Sequence, residues 1–366
     1  MKNILFILIL FGFFPFIKAQ DYNYNNLSVR FETQNKDFYQ FENLRLYPIR
    51  ANSSFLKYQK SIGKYIPLKK AITNNQILIT EMKGDTNIRN ENTRTNIRQP
   101  PTNQRRILDD NRISNRNSNA LSPRNQIRTE DGEVNTLMIQ NICKDTIYIM
   151  AGEIIQGGKQ DRVIAKDIVL PPSSPAIDVS VFCVEQGRWE YEEQKIEKNK
   201  NFQKYYGTAS LKLRAKVEKE QNQQAVWGEV RRSNNENNTK TETQAYTAQN
   251  NSKDFQQKNQ KYVDYFTKIF TNDKETIGVV VVTGNQVVGV DMFASVDLFQ
   301  SQIGSLLTSY ANEAITDGKE VNIEPNIVRE YMDNLLSNNQ QKQNEFLEKR
   351  GKKVKHKEIN LRMSTF

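Results

Sequence analysis

The chain has 366 residues, a hydrophobic fraction of 37% and a formal net charge of +10, which allows one large core or two medium ones. The charge does not argue for nucleic acid, because nine arginines and only three acids fall between Thr86 and Thr129, a stretch with no aromatic residue for bases to stack on. A lone histidine (His356) and two cysteines exclude the usual triads, believable zinc spacing and a disulfide-rich scaffold.

Met-Lys-Asn, an apolar run from Ile4 to Ile17 and Lys18-Ala19-Gln20 have the parts of a secretory signal peptide over residues 1–19. The run is shorter than the ~20 residues a membrane span needs. The expectation is an exported protein, periplasmic or extracellular, with no transmembrane segment once the leader is removed.

Leu44-Arg45-Leu46-Tyr47-Pro48-Ile49 reads as a strand, with Pro48 placing its end near a sheet edge. Phe55 to Pro67 reads as a loop, Leu68 to Asn75 as a short helix, and Ile77 to Met82 as a strand. Residues 86–131 are rich in Asn, Arg, Thr, Ser and Pro without a sustained period, the composition of a disordered insertion. Apolar strand-like runs resume at Val134 and include Ile147 to Met150, Arg162 to Leu170 and Ile177 to Val184. In the last of these, Ile177, Val179, Val181 and Cys183 share one face, which favours the core for that thiol. Buried free cysteines and a Cys143–Cys183 bridge both remain open.

Ala209 to Val230 reads as a helix, and 231–252 as a polar linker or surface loop. Phe255, Tyr262, Phe266 and Phe270 then fall on one side of a helix. Thr276 to Val282 and Gln286 to Asp291 flank a turn and form a hairpin. Ser295 to Thr316 is the most regular amphipathic helix. Another helix spans Pro325 to Leu335, and Ile359, Leu361 and Met363 alternate as in a strand. Strands followed by helices predict an α+β fold, a β-rich core with several packed helices. The body would be single over residues 20–85 and 132–366, with the C-terminal helices as candidates for separate packing.

Chemistry concentrates between Gly152 and Tyr191. Gly157-Gly158-Lys159-Gln160-Asp161-Arg162 offers backbone donors and cations for an anion, although it lacks P-loop spacing. In Glu185-Gln186-Gly187-Arg188-Trp189, Arg188 is suited to clamp a carboxylate or phosphate and Trp189 to stack on a sugar or base. Glu153 and Glu185 are the best carboxylates for a hydrolase, with Asp161 and Asp178 equally available. No metal site and no cofactor is indicated.

Taken together, EMKG, GEIIQGGKQDRV, SVFCVEQGRWEY and TIGVVVVTGNQVVGVDMF with its following helix resemble the ARPP-1 family. That family is named for its association with ADP-ribosylglycohydrolase and rhodanese/phosphatase proteins. The resemblance covers roughly Leu44 to Glu81 and Val134 to Ala314. It implies a mostly β core with packed helices and a polar site shared by the two motifs, at Glu153, Gly157, Lys159, Gln160, Arg162, Glu185, Arg188 and Trp189. The resulting reading is an exported binding or structural module for a small anionic or sugar-like ligand or a protein partner. The alternative is a hydrolase acting on a glycan or ADP-ribose-like ligand through paired carboxylates.

Overall fold

The computed structural model describes residues 21–31, 36–81, 128–129, 132–133, 135–187, 202–239, 241–271 and 273–366. The leader, most of the expected insertion, and Arg188 and Trp189 lie outside them. The described residues up to Glu81 and from Asn135 onward fall in one compact unit; in the other, Met82–Val134, the described residues form a short hairpin of Arg128–Thr129 and Gly132–Glu133.

The fold is α+β. In its larger sheet strand Leu44–Ala51 lies one in from the edge, between the short Leu27–Val29 and the long Thr276–Thr283. The order then runs through Gln286–Phe293 and Ile359–Thr365 to Gly351–His356. All eight residues of Thr276–Thr283 are buried, because both faces of the sheet are covered. Val279 and Val281 pack towards Phe266, Phe299 and Leu306 of helices Lys253–Phe270 and Val296–Asp317. Val280 and Val282 pack towards Met332, Leu335 and Leu347 of helices Pro325–Leu335 and Gln340–Arg350. A strand covered on both faces reads as a continuous apolar run, as TIGVVVVT does. The C-terminal helices therefore belong to the same body.

Pro48 corrects one expectation. The strand runs through it to Ala51 in the sheet interior, and the Pro48 carbonyl accepts from Arg30 N–H at 3.0 Å. It is tolerated because the paired stretch of the neighbouring strand stops at Val29, opposite Ile49. Phe55 to Pro67, read as a loop, begins with helix Ser53–Gln59, whose first turn is capped by the Asn52 side chain accepting from Phe55 N–H.

The second sheet has six strands, in the order Phe202–Thr208, Glu153–Gly157, Arg162–Ile164, Ile177–Cys183, Thr136–Asn141 and Ile77–Glu81. The run Arg162 to Leu170 is divided. Its second half, Ile168–Leu170, joins a three-stranded sheet with Ile147–Ile149 and Ile66–Pro67. The expected helix over Ala209 to Val230 is also divided. Leu211–Ala215 runs into a π turn, Lys216–Glu220, and Gln223–Glu236 starts afresh after Gln221 adopts a left-handed φ of 48°.

The segment 231–252 is a surface loop only in its middle, at Asn238, Glu242 and Gln244; both ends are built into the fold. Ser233 and Asn234 are buried in helix Gln223–Glu236, and Tyr246, Thr247, Ala248 and Gln249 are buried in the short helix Tyr246–Asn251. Its polar side chains are used internally: Asn234 Nδ2 donates to the Ala245 carbonyl at 3.0 Å, and Gln249 Nε2 to Ser233 Oγ at 2.7 Å. A polar composition predicts exposure only when those groups find no partners inside.

Candidate functional site

Strand Arg162–Ile164 pairs antiparallel with Ile177–Cys183, setting Arg162 opposite Cys183 and bringing the GGKQDR turn beside Glu185. The residues gathered there are almost all covered. Arg162 Nη1 donates to Gln160 Oε1 at 3.2 Å and to Cys183 Sγ at 2.9 Å, while the Cys183 thiol itself bonds Gln160 Oε1. Gln160 Nε2 donates to the Glu185 carbonyl at 2.7 Å, and Asp161 N–H to Glu185 Oε2 at 3.3 Å. Asp161 in turn accepts from the Thr247 hydroxyl at 2.7 Å and from Gly157 N–H at 3.4 Å.

Glu81 closes this cluster from the edge strand, accepting Lys159 N–H at 2.6 Å and lying 3.9 Å from Arg162 Nη2. Gly158 has a φ of +56°, and a Cβ there would lie 2.6 Å from Phe202 and 2.7 Å from Glu81 Oε1. Its glycine is required by packing within the chain. Neither cysteine is bridged. Burial pushes the Cys183 thiol up to about 11; Arg162 opposes that push, and Glu185, Glu81 and Asp161 add to it.

Glu153 belongs to a different neighbourhood. Opposite Thr208 and fully buried, it accepts from Met150 N–H at 2.7 Å and from the Tyr205 hydroxyl at 3.0 Å. Burial pushes its carboxyl up to about 8. The two hydrogen bonds oppose the push, Asp167 adds to it, and Arg362 opposes it. Glu185 lies beyond the end of strand Ile177–Cys183. Since Ile164 stands opposite Val181, four strand residues, roughly 13 Å of chain, separate Glu185 from the level of Glu153. The structure thus does not bring Glu153 and Glu185 together; the carboxylate nearest in effect to Glu153 is Asp167.

Asp167 opens onto a buried charge cluster that the sequence reading missed. Arg362 donates from Nε to Asp167 Oδ1 at 3.0 Å and from Nη2 to Oδ2 at 2.6 Å, and it also bonds Glu218. Arg214 holds Asp291 through two bonds, at 2.8 and 2.7 Å. Tyr310 donates to Asp291 at 2.7 Å, the Ser364 hydroxyl also bonds Asp291, and the Tyr148 hydroxyl bonds Asp167. Burial pushes Asp291 up, but the charge and hydrogen bonds of Arg214, with Arg362 and Ser364, more than reverse this, leaving it below the usual aspartate value. Gly152 belongs here too. Its φ is +88°, and a Cβ would meet Arg214 Cγ at 2.7 Å, so only glycine lets that arginine pass.

One signal for these residues was present in the sequence. Asp291 interrupts the apolar run VVGVDMF, and Arg362 and Ser364 alternate with Leu361 and Met363 while being equally buried. Among the described residues, no group of His, Cys, Asp and Glu is arranged to hold a metal, and no helix is long and apolar enough to cross a membrane.

A family model matches residues 32–363, the ARG and Rhodanese-Phosphatase-superfamily-associated Protein domain, ARPP-1. The chain belongs to this family. Neither curated proteins nor solved structures yielded a match.

Proposed function

We propose that the chain is a hydrolase acting on the glycosidic bond of an ADP-ribose-like or glycan ligand, with Glu153 as proton donor and Asp167 as its partner carboxylate. The observation that carries this reading is the Glu153 carboxyl, closed off from water, pushed up to about 8 and bonded to a tyrosine, beside a carboxylate held by Arg362. An acid that keeps its proton at neutral pH next to a salt-bridged carboxylate is the asymmetry that glycoside cleavage needs. Glu153 would protonate the leaving oxygen as the glycosidic bond breaks. Water would add to the sugar carbon and pass its proton to Asp167. The family's association with ADP-ribosylglycohydrolase proteins supports the substrate class.

Tyr205, bonded to Glu153, and its partner Ser305 are half-buried, and substrate would approach along the edge strand Phe202–Thr208. The binding-module reading draws on Arg188 and Trp189; Gln160 and Arg162 are committed to contacts within the chain. Export through the leader is part of the same proposal, and a mature amino terminus at Gln20 would be its mark.

The test is release of ADP-ribose from ADP-ribosylated peptides, run beside a panel of chromogenic glycosides. Glu153→Gln should lower turnover about 10²–10⁴-fold with the fold kept. Inert wild-type protein across the panel, or a fully active variant, sinks the reading.

A further inference from the structure

Helix Val296–Asp317 lays one face along strand Phe202–Thr208. The Ser309 hydroxyl donates to the Ala209 carbonyl at 2.5 Å, and Ser305 is hydrogen-bonded with Tyr205. Gln302 stands on the same stripe, one turn before Ser305 and two before Ser309. It is wholly buried, and neither its amide nitrogen nor its amide oxygen has a hydrogen-bond partner. Apolar residues surround it on the helix: Phe299, Ile303 and Leu306 are all buried in the core. An apolar residue of the same shape would be more stable there, since a buried amide with both ends unpaired loses its hydration and gains nothing in return.

The position of Gln302 gives its amide a use. Ser305, one turn on from Gln302, is hydrogen-bonded with Tyr205; both are half-buried, and the Tyr205 hydroxyl is bonded to Glu153. We infer that Gln302 is a ligand-recognition residue that takes a vicinal diol of a sugar ring, one hydroxyl donating to its Oε1 and the other accepting from its Nε2. A side-chain amide presents a donor and an acceptor side by side, and two neighbouring hydroxyls match that pair. The diol then fixes the ring against the strand, with its glycosidic carbon on the Glu153 side. The assignment rests on the hydrolase reading for the bond cleaved, while the recognition itself does not require turnover.

Two sources carry such a diol, the ribose of ADP-ribose and the hexose of a neutral glycan, and the experiment separates them. Calorimetric titrations use ADP-ribose, its analogue lacking one diol hydroxyl, and a neutral oligosaccharide, each on the Glu153→Gln protein so that nothing is consumed. Gln302→Leu is then added, with Gln302→Met as the second variant should leucine fail to fold. The melting temperature should stay level or rise, and affinity for one of the two diol probes should fall at least tenfold. If that probe is ADP-ribose, the deoxy analogue should bind no better than ADP-ribose binds the variant. Unchanged affinity in a well-folded variant overturns the assignment, as does absence of binding by both probes before Gln302 is changed. A tenfold loss at Gln302 together with normal turnover by Glu153→Gln would sink the acid role and leave the recognition site standing. Loss of turnover at Glu153 with unchanged binding in Gln302→Leu would do the reverse.

Discussion

The two buried arginine clusters differ in what surrounds the charge. Arg214 and Arg362 face Asp167, Glu218 and Asp291, with paired bonds from Arg214 to Asp291, 77 residues away, and from Arg362 to Asp167, 195 residues away. Arg162 bonds three neutral groups, Gln160, Cys183 and the Asp161 carbonyl; among the described residues its closest carboxylate contact is 3.9 Å, and its Nε has no partner. The first cluster ties the larger sheet to the helical segment Leu211–Glu220 and to the chain at Asp167. The second ties a turn to the end of a neighbouring strand. A charge removed from water needs close opposite charge to be tolerated, and the first cluster supplies it through paired bonds, although Arg214 Nε, like Arg162 Nε, has no hydrogen-bond partner. The glycine-rich motif that is conspicuous in the sequence is therefore the less closely charge-paired of the two constructions.

The comparison breaks most readily at Arg362. Arg362→Ala strands Asp167 and Glu218 in the interior, and the expected loss is about 3–5 kcal/mol. Urea denaturation measures it, and a loss under 1 kcal/mol would mean that water reaches the cluster. Arg162→Ala should cost less, about 1–3 kcal/mol, because it leaves mainly neutral partners unpaired. Equal losses at the two arginines would erase the distinction.

A pH dependence is centred on Glu153. Its folded-state pKa is raised from 4.5 to about 8, so the folded protein holds a proton that the unfolded chain releases. The stability this brings is fully present below about 4.5 and is lost as pH rises through about 8. Glu153→Gln should remove that slope. The difference in stability between variant and wild type should therefore grow in the variant's favour up to about pH 8 and then level off. Parallel stability curves from pH 5 to 9 would show that the carboxyl does not titrate in this window.

Local pattern was enough for several elements. Phe255, Tyr262, Phe266 and Phe270 are buried at the helical spacing their positions imply, and helix Pro325–Leu335 has the bounds read from its pattern. Val179, Val181 and Cys183 face the core as alternation requires, whereas Ile177 of the same expected face is exposed at the start of the strand. Helix Gln340–Arg350 was missed because of its eleven residues only Gln343 and Leu347 are buried, too few to form a stripe. Strand Phe202–Thr208 was missed because its apolar face is interrupted by Lys204 and by glycine at 207.

The candidate site was half legible. Glu153 was selected from its motif, but the partner assigned to it was Glu185, four strand residues too far along. Its actual neighbours come from elsewhere: Tyr205 from the adjacent edge strand, Asp167 from a turn between sheets and Arg362 from the last strand. The sequence by itself determined where the chain turns apolar with a period of two or of 3.6, because burying a strand or helix face requires only a pattern that repeats within the segment. Which charges meet was decided by the tertiary structure alone. Arg362 reaches Asp167 across 195 residues through strand order and register, which no local spacing encodes.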